Sequence, residues 1–116
     1  MLYCLVVDTV TLTHATSLSR IGYALADGTR TRILLALREG PAQPGALAEQ
    51  LGVSKQVMSN QLACLRGCDL VKARAKGRSA WYELADPQIA STLGLLLKLA
   101  VAVDPACCTP GGCTCR

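Results

Sequence analysis

Thiolate sulfur is a soft ligand, and one pair of cysteines stands at a spacing that lets it act as one. Cys64 and Cys68 are four residues apart. On a helix that separation puts both side chains on one face, where they can chelate a single soft or borderline cation such as Cd(II), Pb(II) or Zn(II), or As(III). Two ligands leave such a site incomplete. Cys107, Cys108, Cys113 and Cys115 flank a Pro-Gly-Gly turn in the tail and can complete it, from the same subunit or from a second one. Cys4 stands alone and reads more simply as a bystander. The one histidine, His14, fits a structural or solvent role. No carboxylate is grouped with the thiols, so an all-sulfur site is expected. Two other readings compete: Cys64 and Cys68 as small buried hydrophobes beside a thiol-rich tail, or a switch that works by disulfide formation. No thiol is paired with a base and there is no phosphate loop, so an enzyme is not expected.

The thiol pair belongs to the stretch Ser54 to Cys68, which reads as one helix. Met58, Leu62 and Leu65 recur at i, i+4 and i+7 and form an apolar stripe. At roughly 100° per residue, Gln56, Ser59, Asn60 and Ala63 fall on the opposite side, and the two cysteines form a third line. The preceding segment, from Pro44 to Leu51, reads as a short helix. Gly52-Val53-Ser54 is a tight turn with Ser54 as N-cap. Two helices joined in this way are the signature of a helix-turn-helix. Its second member would be the recognition helix, with Ser54, Lys55, Gln56, Ser59 and Asn60 offering donors and acceptors to base edges.

The other elements support that unit. Residues 1–13 form an N-terminal arm. Leu18, Ile21 and Leu25 mark a first amphipathic helix over 14–26. Asp27 caps a second, Thr29 to Arg38, which buries Ile33, Leu34 and Leu37 and ends at Glu39-Gly40-Pro41. Arg30 and Arg32 are expected on its solvated face. Leu70 to Ala85 changes to strand periodicity, with a turn at Lys76-Gly77-Arg78. Lys72, Arg74, Lys76 and Arg78 line this hairpin, and after a recognition helix they read as a wing that grips phosphates. Trp81 and Tyr82 point to opposite faces, one of them packing the hairpin onto the helices. Asp86-Pro87 opens a last helix, to about Val103, whose apolar surface calls for a second subunit. Residues 14–103 are thus one mainly α winged helix-turn-helix domain, in the order α1-α2-α3-α4(recognition)-β-β-α5, and 104–116 a Cys-rich tail.

Composition agrees. The chain has 116 residues, 51% of them hydrophobic, with no Phe and only 3% aromatics. A core of Leu, Ala and Val favours helix, and a chain this short gains from dimerisation. The net charge of +4 permits nucleic-acid binding without demanding it. The start lacks the features of a secretory signal, and no window reaches the ~18 apolar residues of a membrane span. Clustered cysteines with these features point to a reducing cytoplasm.

The runs ALADGTRTRILLAL, LAEQLGVSKQVMSNQLACLRGCDLV and KGRSAWYELA resemble the ArsR/SmtB family of metal-sensing winged-helix repressors, over about residues 18–103. The pair in NQLACLRGCDLV, with the MLYC start and cysteines after the last helix, is similar to the CmtR-type branch of Cd(II)/Pb(II) sensors. The resemblance departs at Gly28, where the family usually has Pro. It implies a homodimeric repressor whose apo form binds operator double-stranded DNA and is released when metal binds. It implies ligands at Cys64 and Cys68 plus a tail cysteine, Cys107 or Cys108 being nearest in position, with Cys113, Cys115 and Cys4 further candidates. As(III) remains open as inducer, since three thiolates suit it, and so does a thiol–disulfide sensor.

Overall fold

The computed structural model describes residues 14–100. The N-terminal arm, the end of the last helix and the Cys-rich tail, with Cys4, Cys107, Cys108, Cys113 and Cys115, lie outside the described residues. Within them the order is α1 (His14–Leu25), α2 (Gly28–Leu37), α3 (Pro44–Leu51), α4 (Lys55–Gly67), β1 (Val71–Lys76), β2 (Ser79–Leu84) and α5 (Pro87–Ala100). This is the expected winged helix-turn-helix, with boundaries within a residue or two of those read from the sequence.

Caps explain where the helices start and stop. Asp27 accepts the Arg30 amide at 3.0 Å, and Ser54 accepts the Val57 amide at 3.1 Å, each satisfying a donor the first turn leaves open. Gly52 ends α3 in the left-handed conformation (φ 69°), which no β-carbon opposes. The end of α4 is different. The amide of Leu70 donates to the Leu65 carbonyl and that of Asp69 to the Arg66 carbonyl, the paired bonds of a Schellman motif. The left-handed position is filled by Asp69 (φ 61°), where glycine is the usual choice.

The core is the convergence of α2, α3, α4 and the base of the hairpin: Ile33, Leu34, Leu37, Leu47, Ala48, Met58, Leu62, Leu65 and Val71 are buried, with Leu93 from α5. The hairpin pairs Val71 with Leu84 through Lys76 with Ser79. Gly77 (φ 65°) occupies the first central position of its two-residue turn, as a type II′ turn requires. Tyr82 and Leu84 lie on the face that packs against the core, and Trp81 is on the other. One contact was not expected. Ala42, in the α2–α3 loop, exchanges both backbone bonds with Tyr82 (2.9 and 2.8 Å). That bridge covers part of the β2 edge and ties the wing to the helical body.

One expectation needs correction. Arg30 is not on a solvated face but is buried, 6% exposed; it precedes Ile33 and Leu34 by one helical turn and shares their inward side. Of the α1 stripe, Leu25 packs against the core, whereas Leu18 and Ile21 are not covered by the other described residues. Leu18 is 68% and Ile21 42% exposed, as are Leu95, Leu96, Leu97 and Leu99 of α5, at 66, 37, 41 and 61%. Ile21, Leu25, Leu93 and Leu96 line one open apolar groove. Apolar surface on this scale is what a second subunit covers.

Asp69 pays a left-handed penalty that glycine would not. Asp69→Gly is therefore expected to raise stability by about 0.5–1 kcal/mol after the added backbone entropy is subtracted, read as a shift of the urea midpoint with an unchanged slope.

Candidate nucleic-acid interface and thiol site

Helix α4 sits with three sides in three environments. Met58, Leu62 and Leu65 are buried and set which side faces the core. Gln56, Ser59, Asn60 and Ala63 are exposed on the other side, with Ser54 and Lys55 exposed at the N-terminal end. Gln56 Nε2 donates to Asn60 Oδ1 at 2.9 Å across one turn. That bond preorganises two amide side chains whose free donor and acceptor groups can read a base edge. The helix N-terminus adds open backbone amides that favour phosphate.

The wing is less positive than its composition. Glu83 lies opposite Lys72 in the register and holds Lys72 Nζ at 3.4 Å and Arg74 Nη2 at 3.1 Å. Lys76 rests over the Trp81 ring, 5.7 Å from its centroid, a contact that leaves its charge intact. Arg78 occupies the turn and is exposed. The cationic end of the wing is therefore Lys76 and Arg78, with Lys72 and Arg74 partly neutralised near its base. The pairing could have been found from the sequence: a two-residue turn at Gly77-Arg78 places Glu83 across from Lys72.

The thiols lie at the opposite end of α4 from Ser54. Cys64 is 1% exposed, as deep as Leu62, and Cys68 is half-buried at the C-cap. The Cys68 amide donates to the Cys64 carbonyl at 3.1 Å, so the helical bond pattern carries through Cys68 and holds both residues on one side. Cys64 is a thiol. Among the described residues no group of three or more His, Cys, Asp or Glu could hold a metal ion. The soft donor set fits a thiophilic ion, but as two ligands of a larger set. His14 is exposed at the start of α1, away from any such group.

Sequence reasoning missed Arg30. Its Nε donates to the Ala24 carbonyl at 3.1 Å, Nη2 to the Tyr23 carbonyl at 2.8 Å and Nη1 to Gln61 Oε1 on α4 at 3.2 Å. Its guanidinium lies 4.7 Å from the Tyr23 ring centroid. The signal was its spacing from Ile33 and Leu34.

Comparison with known proteins follows the same lines. Residues 27–73 match the model of bacterial regulatory proteins of the arsR family. The chain is 51% identical over 88 residues to the HTH-type transcriptional regulator CmtR of Mycobacterium tuberculosis strain H37Rv, covering 76% of this chain and 75% of that protein. It is 34% identical over 104 residues to a probable mercury resistance operon repressor of Streptomyces lividans, covering 86% and 82%. Among solved structures it is similar to the NMR structure of the cadmium metal-sensor CMTR from Mycobacterium tuberculosis, with TM-score 0.66 and 47% identity over 84% of this chain and 98% of that one. It is similar too to the homodimeric winged helix-turn-helix domain Mb0332 from Mycobacterium bovis, with TM-score 0.71 and 28% identity over 80% and 91%.

Each phosphate contact removed lowers the slope of log affinity against log salt by about 0.9. Lys76→Ala and Arg78→Ala are each expected to lower the magnitude of the DNA-binding slope by about that amount, and Lys72→Ala by clearly less, because Glu83 already holds that ammonium. Fluorescence anisotropy with one labelled duplex at several salt concentrations checks this.

Proposed function

The chain belongs to the arsR family of bacterial regulatory proteins, and on that premise we propose that it is a metal-responsive repressor whose apo homodimer binds operator DNA and lets go when a soft cation binds thiolates on α4 and the tail. The observation that carries this is the sharing of one helix. The exposed Gln56–Asn60 face and the Cys64–Cys68 pair both belong to the α4 unit, within three turns of each other. Ligation that moves the thiol end moves the reading face with it.

In the DNA-bound form, α4 of each subunit enters a major groove, Ser54, Lys55, Gln56, Ser59 and Asn60 meet base edges and backbone, and Lys76 and Arg78 reach phosphates. Lys72 and Arg74 contribute less. Cys64 and Cys68 hold the ion together with a tail thiol, Cys107 or Cys108, with Cys113, Cys115 and Cys4 as further candidates. A bound cation supplies the free energy to favour a different placement of α4. Cys64 must be reached from its buried position and Cys68 must be reduced, since a disulfide sulfur offers no thiolate. Binding and release are then linked: the ion prefers the DNA-free protein, so DNA and ion oppose each other. A 100-fold loss of DNA affinity corresponds to about 2.7 kcal/mol, small beside the free energy of a thiolate site.

Cd(II) is the preferred effector, supported by the cadmium sensor among the relatives. Pb(II), As(III) and Zn(II) are the alternatives, and the mercury-resistance relative adds Hg(II). A redox sensor using the same cysteines is the second reading, favoured by the two cysteines that one side of α4 brings together.

Titration of a protein–DNA complex with each cation, under reducing conditions, tests the proposal. Cd(II) is expected to release DNA and to produce near-ultraviolet thiolate-to-metal absorption. Cys64→Ser is expected to abolish both while apo binding stays within about threefold, a change below 1 kcal/mol. Release by Cd(II) from Cys64→Ser would sink the central site. Release by hydrogen peroxide alone, reversed by a reductant, would establish the redox reading instead.

A further inference from the structure

Arg30 is the one buried charged side chain among the described residues, and its contacts do not stay within one layer of the fold. Two of its nitrogens donate to the carbonyls of Tyr23 and Ala24 at the end of α1, where a cation also suits the helix dipole. A third reaches Gln61 on α4. Thr31 reinforces the α1 end by donating to the Leu25 carbonyl at 2.9 Å. Helix α1 carries Leu18 and Ile21 on the uncovered apolar surface. Gln61 directly follows Asn60 in sequence and is half-buried beside the exposed face. One rigid, planar guanidinium thus spans the helix that meets the second subunit and the helix that meets DNA.

We propose that the Arg30–Gln61 contact is a positioning device that sets the angle of α4 against α1, and through the dimer the separation of the two reading helices. A guanidinium donates along fixed directions, so a roll of α4 relative to α1 cannot be followed without losing the bond to Gln61. The buried stripe of Met58, Leu62 and Leu65 holds α4 in the core but is apolar and non-directional. A directional bond at the flank of that stripe is what removes the remaining rotation. A repressor dimer places its two reading helices about one DNA turn apart, 34–36 Å. A change of a single base pair shifts the half-sites by about a tenth of a turn, so the angle of α4 decides which spacing is accepted. This inference rests on the DNA-reading role of α4 and on the dimer, and is independent of the metal.

The test varies Gln61, since Arg30 also satisfies α1. A duplex is first selected by the wild-type apo protein from a pool randomised within a palindromic frame. Affinities are then measured for that duplex, for versions with one base pair added or removed at its centre, and for a single half-site. The wild type is expected to lose about 10-fold or more on either spacing change, the scale of one misplaced base contact. Gln61→Met keeps the length and removes the acceptor; its loss is expected to shrink to about 3-fold or less, with half-site affinity unchanged. Gln61→Glu keeps an acceptor for Arg30 and is expected to retain the wild-type ratio, whatever its added charge does to absolute affinity. An unchanged spacing ratio in Gln61→Met overturns the inference, as does a wild type indifferent to spacing. A loss in Gln61→Met that is equal on all duplexes, half-site included, makes Gln61 a plain base or stability contact and overturns it too. A wild-type protein that enriches no duplex contradicts the reading role of α4 itself.

Discussion

Burial of Met58, Leu62 and Leu65 fixes which way every other side chain of α4 must point. The stripe sits against α2, α3 and the hairpin base, and at about 2 kcal/mol for each fully buried side chain of this size it settles which side of α4 faces the core. With that side committed, Gln56, Ser59 and Asn60 must be outside, and Cys64 and Cys68 must lie along the flank. Function on this helix is thus assigned by the core. The N-terminal end is held by Ser54 and the C-terminal end by the Schellman bonds around Asp69, so the polar Gln56–Asn60 face and the two cysteines lie toward opposite ends of a helix capped at both ends.

The wing shows the same economy. Its inner face, Val71, Tyr82 and Leu84, belongs to the core, and the Ala42–Tyr82 bridge fastens it to the loop before α3. Its outer face carries the charges. Glu83 gathers Lys72 and Arg74 and leaves Lys76 and Arg78 at the tip as the cations with no carboxylate partner among the salt bridges of the described residues. Exposed ion pairs of this kind add little stability. Their consequence here is where the positive charge is left uncompensated.

Much of this was legible in the sequence because it follows from period and caps. The stripe of α4, the Asp27 and Ser54 caps, the Gly77 turn and the polar exposed face of α4 all come from rules that act over a few residues. What local rules do not contain was read less well. Arg30 was placed in solvent because arginine is rarely buried, although its spacing from Ile33 and Leu34 put it on the inward side; the compensating carbonyls of Tyr23 and Ala24 come from another helix. The stripe of α1 reads as amphipathic, but a period shows which face is apolar and not what covers it, and Leu18 and Ile21 stay open among the described residues. That Cys64 and Cys68 share one side of α4 was legible from their spacing. Completion of the proposed site depends on tail cysteines beyond the described residues, and the family resemblance rather than spacing singled out Cys107 or Cys108.

The central claim is that DNA and a soft cation compete through α4, and linkage makes that claim reciprocal. The most direct measurement is the affinity of the reduced protein for Cd(II), free and saturated with operator duplex, under a competing chelator. The account predicts that operator weakens Cd(II) binding by the same factor, on the order of 100-fold, by which Cd(II) weakens operator binding. Equal Cd(II) affinities with and without DNA would contradict it.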